Sequence, residues 1–385
     1  MKQEAPGIYA TLWDWIKTTR DGKSTIPDMQ QVLYPEETLR LIAPKSVHTP
    51  LHPAFRASSL YVPKAYVGVL PQGRYRVADN GEMTITAPDG KPVRDVSLQY
   101  ERSKRRLRVE AEEGGPPPVK TEETVAVLSF VWDSNYYHWL GEVLARLHLL
   151  ERSGIAIDQY IINRKGSASF QMETLSMLGI PRSKTIRSRK GMHLQAKRLV
   201  VPSLEMFRLE PFVPHALAPW ACRYLRQRLL RIVKPEPLPG FERIYISRAD
   251  AKVRPVTNED ALYGILAARG YRKVTLAGMP VAEQVRLFAS AQAIVAPHGA
   301  GLANLMFCRP GTQVLELYAP GYMNPVYWYL SCQTGLDYYY AVGRGEPQAA
   351  HTAKEDVEGR TDSITVDPDL LHATLKLMEA GEKHA

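Results

Sequence analysis

Residues 294–307 read Ile294-Val295-Ala296-Pro297-His298-Gly299-Ala300-Gly301-Leu302-Ala303-Asn304-Leu305-Met306-Phe307. An apolar run stops at Pro297, Gly299 and Gly301 follow, and an apolar helical pattern begins. The order predicts strand, tight turn, helix. The N-terminus of such a helix presents bare N–H groups and about half a positive charge to whatever lies over the turn. Without Cβ atoms, Gly299 and Gly301 would let a phosphate approach the backbone. The next apolar run, Thr312 to Tyr318, predicts a strand carrying Glu316 near its far end, where a carboxylate can hold a ribose hydroxyl. The pattern approaches G-x-G-x-x-G with Asn304 in the last place. Two readings follow: a nucleotide pyrophosphate site, or an ordinary strand-to-helix turn.

The chain has 385 residues, a length that favours two domains over a single core. Its net charge of +9 suits phosphorylated small molecules, anionic lipid or nucleic acid. Nucleic acid is the weakest of these, because the basic runs lack interleaved aromatics and no zinc-finger or RNP spacing occurs. Three widely spaced cysteines, Cys222, Cys308 and Cys332, give neither a disulfide framework nor a metal spacing, and suit a reducing cytoplasm. Met1 to Ile16 has no signal-peptide core, and no apolar run approaches the ~20 residues of a membrane span.

Strand and helix signals alternate from about residue 125, which predicts an α/β architecture. Before that, residues 1–57 read as loops with short helices. Residues 58–110 read as a small antiparallel β region with hairpin turns at Asn80-Gly81 and Asp89-Gly90. Glu113 to Pro118 punctuates the chain, and Arg102 to Arg106 reads as a solvated basic edge. Lys234 to Gly240 holds three prolines and reads as a stiff linker. The expected division is an N-terminal domain, 1–234, and a C-terminal domain, 241–385. In open α/β sheets ligands bind outside the carboxyl ends of the strands.

Two further stretches carry chemistry. In the helix predicted from Asn135 to about Glu151, capped by Ser134 or Asp133, residues Tyr136, Trp139, Leu140, Val143, Leu144 and Leu147 form the apolar stripe. Asn135, His138, Glu142 and Arg146 fall together on another face, at offsets of 3, 4 and 4. Histidine is the side chain suited to accepting a proton near neutral pH. A carboxylate one turn on can orient it. The alternative is a solvated polar face. In Ile246 to Glu259, Arg248 lies just past a strand end and Arg254 in the loop beyond it, and guanidinium forks suit phosphate oxygens.

Three motifs occur in one order: Asn-Tyr-Tyr-His-Trp-Leu from Asn135 with Arg146-Leu147, Tyr-Ile-Ser-Arg from Tyr245 with Arg254 and Asn258-Glu259, and Pro-His-Gly-Ala-Gly-Leu-Ala-Asn from Pro297. In this order they resemble glycosyltransferase family 61, over roughly residues 125–320, in the manner of bacterial capsular polysaccharide biosynthesis proteins. The resemblance implies a GT-B fold of two facing Rossmann-like domains with a cleft between them, an inverting mechanism, a nucleotide-sugar donor and no required metal or other cofactor. Where the family often has a proline before the first motif's arginine, this chain has Ala145. Where it often has a second arginine after Arg254, this chain has Pro255.

The expected roles follow from both lines of reading. His138 is the base and Glu142 its orienter or substitute, with Asn135 and Arg146 on the acceptor side. Arg248, Arg254 and the amides of Gly299, Ala300 and Gly301 hold the diphosphate. His298 lies near the leaving phosphate or the sugar, Asn304 binds the donor from the last place of the glycine turn, and Glu316 meets the ribose. The expected partners are a UDP-linked sugar, a saccharide or lipid-linked saccharide acceptor and an anionic membrane surface; the expected location is the cytoplasm, at the inner face of the membrane.

Competing motifs fail on context. Asp21-Gly22-Lys23-Ser24-Thr25 lacks the earlier glycine of a P-loop, Lys17 standing in its place. Asp367-Pro368-Asp369 is explained by a helix start, Asp367 as cap and Pro368 in the first turn. No Gly-x-Ser-x-Gly elbow accompanies His-Gly-Ala-Gly. A nucleotide-dependent oxidoreductase uses a similar glycine turn, but after the first strand of its domain, whereas two strand–helix units precede this one. A catalytically inactive scaffold of a polysaccharide-assembly complex would keep the fold without turnover.

Overall fold

The computed structural model describes residues 7–20, 30–79, 81–97, 100–101, 106–107, 117–129, 132–163, 169–204, 217–251, 253–345 and 361–382. Asp21 to Thr25, most of the basic run at 102–106, most of the 113–118 punctuation and most of the polar stretch 343–361 lie outside the described residues. The architecture is mixed α/β. The chain forms two compact units, Met1–Thr38 with Tyr61–Leu225, and Leu39–Leu60 with Arg226–Ala385.

The first unit is built on an eight-stranded mixed sheet. Its parallel part is Val119–Val127, Gln159–Ile162, Thr185–Arg187 and His193–Pro202, with Val119–Val127 paired to both His193–Pro202 and Gln159–Ile162. Of the strands expected in the β region at 58–110, three are continuous with this sheet, whereas Ser59–Val62 belongs to a separate two-stranded sheet. Ala65–Pro71 pairs antiparallel with His193–Pro202, Arg74–Val77 pairs with its first residues, and Met83–Thr86 completes a hairpin. Leu12, Trp15, Tyr75 and Leu199 lie in the core on one side of the sheet. The helix Leu12–Arg20 thus has the packed face that makes a short helix stable.

The helix predicted after the strand at 119–127 is present, but it is not a plain α-helix. Tyr136–His138 is one α-turn, Trp139–Leu144 is π-helical and Ala145–Ser153 is α-helical. The N–H of Ala145 bonds the carbonyl of Leu140, five residues back. The side chain of Arg146 takes the carbonyl of Glu142, which an α-helix would have given to the N–H of Arg146 itself. The cap is Asn135, whose Oδ1 accepts from the N–H of Tyr137 at 2.9 Å, and not Ser134 or Asp133.

The second unit has a five-stranded parallel sheet. In chain order its strands are Arg243–Ile246, Arg272–Val274, Ala293–Pro297, Gln313–Tyr318 and Asp337–Val342. In space they run second, first, third, fourth, fifth. This is a doubly wound order, with its topological switch point between the first and third strands. The strand runs read as continuous apolar stretches because both faces are covered: all six residues of Gln313–Tyr318 are buried. The helices Glu259–Ala267, Val281–Ser290, Val326–Thr334 and Pro368–Glu382 complete the layers. Asp367 accepts from the N–H groups of Asp369 at 2.9 Å and Leu370 at 3.4 Å, so this Asp-Pro-Asp is a helix cap. Residues 363–366 contribute isolated bridges, at Ile364 and Thr365.

Two parts of the chain lie differently from the expected division. Residues 39–60 belong to the second unit. Lys45 pairs beside Tyr339, Phe55 stacks on Tyr340 at 4.2 Å and Ile42 O accepts from Trp328 Nε1 at 2.7 Å. The proline-rich segment 234–240 is docked rather than spanning. Leu238 N and Glu236 O both bond Ser290 Oγ, and the division falls earlier, after Leu225. No helix of the described residues is long and apolar enough to cross a membrane.

Candidate active site

At the switch point of the second unit, the ends of the first and third strands bring two arginines onto one turn. Ser247 anchors the start of the first loop: its Oγ donates to Glu259 Oε1 at 2.7 Å and accepts from Ala249 N. Arg248 follows, half-buried, with Nη2 donating to Val253 O at 2.9 Å and Nε without a hydrogen-bond partner among the described residues. Its guanidinium lies where a Cβ at Gly299 would be, so a side chain at 299 would overlap Nη1. Arg254 has φ 54, a region where only strain-tolerant positions hold a non-glycine residue. That backbone sends Nε to His298 O at 3.1 Å and lays the guanidinium over Tyr322 at 5.3 Å. Burial first, and Arg254 second, bring the Arg248 guanidinium down to about 10. Two cations held this close call for an anion.

The glycines serve the turn in ways the sequence did not separate. Gly299 makes room for Arg248. Gly301 makes room for Leu276, whose Cδ1 would lie 2.6 Å from an added Cβ. Neither has a left-handed φ. The helix that follows, Ala300–Phe307, is a 3₁₀ helix capped by no side chain. Asn304 is buried and spends its amide on Gln284 Oε1 at 2.8 Å and Gly301 O at 3.0 Å, which fixes the turn from below.

His298 and Glu316 form a buried pair, Nδ1 to Oε1 at 2.5 Å. Tyr338 donates to Glu316 Oε2 at 2.5 Å. Both oxygens of Glu316 are therefore taken inside a fully buried residue, which corrects the expectation of a ribose contact. Burial holds the His298 pKa below the usual histidine range; Glu316 opposes this, and Arg254 and Arg248 reinforce it. The neutral ring donates Nδ1–H to Glu316, which makes Nε2 the lone-pair nitrogen.

In the first unit, His138 Nδ1 lies 2.9 Å from Glu142 Oε1. His138 is 29% exposed, while the Glu142 side chain is 1% exposed. With Nδ1–H donated to the carboxylate, Nε2 is the nitrogen that accepts a proton, and the pair has the base-and-orienter geometry. The face shared by His138, Glu142 and Arg146 is therefore not a solvated one. Arg146 is 4% exposed and also gives its guanidinium to the carbonyls of Val127, Leu128 and Ser129, at 3.1, 2.7 and 3.2 Å. It pins the helix to the end of the strand Val119–Val127. Asn135 is exposed and caps the helix.

Sequence reasoning passed over three side chains here: Tyr322 under Arg254, Tyr338 behind Glu316, and Trp220 beside Glu142. Tyr322 could have been sought in the loop after the strand that ends at Tyr318, since that loop leaves the same sheet edge as Arg248. Among the described residues no group of three or more His, Cys, Asp or Glu could hold a metal ion.

The doubly wound sheet thus presents two arginines at its switch point, where open α/β sheets bind ligands. The Glycosyltransferase 61 family model matches residues 136–315, just under half of the chain, from the start of the His138 helix to the strand beyond the His298 turn. The match supports that family and indicates a glycosyltransferase. No curated protein matches the chain.

Proposed function

We propose that the protein moves a sugar from a UDP-linked donor to a saccharide hydroxyl, with inversion and without a metal, in surface or capsular polysaccharide synthesis. The observation that carries the reading is the convergence of Arg248 and Arg254 on the His298–Gly299 turn at the sheet's switch point. In this reading the two guanidinium groups and the uncapped N–H groups at Ala300 and Gly301 neutralise the departing diphosphate, the largest electrostatic task in such a transfer. The lone pair on His298 Nε2 favours a sugar or ribose hydroxyl, which can donate to it, over a phosphate oxygen, which cannot.

His138 Nε2 takes the acceptor proton, steadied by Glu142. The acceptor oxygen forms a bond to the anomeric carbon as the bond to the diphosphate oxygen breaks, and the electron pair leaves on the diphosphate. Attack on the face opposite the leaving group inverts the anomeric centre. The GT-B arrangement expected from the resemblance belongs to this proposal, as do a lipid-linked acceptor and a basic surface resting on anionic lipid at the inner face of the membrane. The glycine turn follows the third strand of its sheet and not the first, so nothing favours the oxidoreductase alternative.

The test is a panel of nucleotide sugars, assayed for donor hydrolysis without acceptor. Release of UDP from at least one UDP-sugar, lost in His138→Ala while UDP still binds, is the expected result. Wild-type turnover in His138→Ala would remove that residue from the mechanism.

A further inference from the structure

Glu142 uses one carboxylate oxygen on His138. The other, Oε2, is buried with no hydrogen-bond partner among the described residues. Trp220, on the helix Pro219–Val233, is in the complementary state: 3% exposed, with its Nε1–H also buried and unpartnered. Both residues line one cavity, together with Gly141, Ser203 and Leu217. Its volume is about 10 Å³, room for a single oxygen atom.

The indole cannot easily turn away to find another acceptor. It stacks on Tyr34 at 5.2 Å and on His148 at 5.9 Å. His148 is itself stacked on Tyr224 at 4.4 Å, and its Nε2 lies 2.7 Å from Tyr34 OH. A buried donor and a buried acceptor left unmade are each costly. One group of one-oxygen size satisfies both: a hydroxyl, which donates to Glu142 Oε2 and accepts from Trp220 Nε1. A carbonyl serves only the indole, and an ammonium serves only the carboxylate.

We propose that this cavity is a hydroxyl-binding site, filled by an ordered water in the resting protein or by a hydroxyl of the saccharide acceptor. The site rests on the proposed function only in naming the acceptor as the second source. It makes Trp220 a positioning residue, linked through the bound hydroxyl and Glu142 to His138.

The test uses the full-length protein labelled with ¹⁵N-tryptophan, the Nε1–H resonance of Trp220 being assigned by its loss in Trp220→Phe, which keeps an aromatic ring for the stack. A crystal structure of the unliganded protein is expected to place an ordered oxygen about 3 Å from both Glu142 Oε2 and Trp220 Nε1. Titration with methyl glycosides of common hexoses and pentoses then separates the sources. A shift of the Trp220 resonance assigns the site to a saccharide hydroxyl, and an unmoved resonance with the oxygen retained assigns it to water. Trp220→Phe is expected to lower kcat at least tenfold, to move the pH profile of donor hydrolysis and to leave the Kd for UDP unchanged. An empty cavity at high resolution, or Nε1 bonded directly to a protein carbonyl, overturns the proposal. These structural readouts need no turnover, so failure of the transferase reading would leave them standing.

Discussion

His138 and Glu142 are bonded at 2.9 Å, which fixes the ring's tautomer before any substrate arrives. Removing the base in His138→Ala is expected to reduce transfer by roughly 10²–10⁴. UDP affinity by calorimetry should stay at its wild-type value, because the proposed diphosphate site is in the other unit. At Gly299 the expected outcome is the reverse. Gly299→Ala puts a methyl where Arg248 Nη1 lies, so the guanidinium must move, and UDP affinity should fall as far as in Arg248→Ala. Circular dichroism should report a retained fold; an unchanged Kd would detach Arg248 from the ligand. His298 sets a pH dependence. Its folded pKa is below the ordinary value, so between the two the unfolded chain binds the extra proton. The stability it contributes is full above about pH 6.5, the ordinary histidine value, and is lost as pH falls through that value toward the folded pKa. Melting temperatures of wild type should therefore fall more between pH 7.5 and 5.5 than those of His298→Gln. Parallel curves would contradict the assignment.

The helix from Tyr136 to Ser153 combines a regular apolar stripe with an irregular turn. Its apolar stripe was legible, since Trp139, Leu140, Val143, Leu144 and Leu147 are all buried. Its π-turn was not, because nothing in a 3.6-residue period announces where a carbonyl will be taken by a side chain. Arg146 looked like one more member of a polar face, and three of its four carbonyl partners, those of Val127, Leu128 and Ser129, come from a part of the chain that only the fold brings near. Arg146→Ala leaves those carbonyls unmade, at about 1–3 kcal/mol for each that water cannot reach. Urea unfolding followed by circular dichroism should show a loss of that order; a loss below about 0.5 kcal/mol would mean that the arginine does not hold the helix. The strand Gln313–Tyr318 and the helix start at Asp367-Pro368 fell where the residue pattern placed them. The strand Asp337–Val342 was missed because a fully covered parallel strand does not alternate, and its three consecutive tyrosines gave no period to follow. Glu316 was misread for a related reason: position near a strand end was legible, but the buried histidine and tyrosine that occupy its two oxygens were not.

For the whole molecule, the excess of basic residues has a local meaning at the switch point. Arg248 and Arg254 concentrate positive charge there, and the buried carboxylate of Glu316 is already committed to His298 and Tyr338. No local pattern announces that residues 39–60 belong to the second unit. Their contacts are long-range aromatic ones, Phe55 on Tyr340 among them, and a Pro-rich stretch has no periodicity to reveal them. Transfer by this route requires the two arginines to grip a diphosphate. The most direct measurement is the Kd of uridine, UMP and UDP for the wild type and for the Arg248→Ala/Arg254→Ala variant. Affinity should rise steeply from uridine to UDP in the wild type, and the three constants should converge in the variant. Equal constants in the wild type, or a variant that keeps the full preference for UDP, would contradict it.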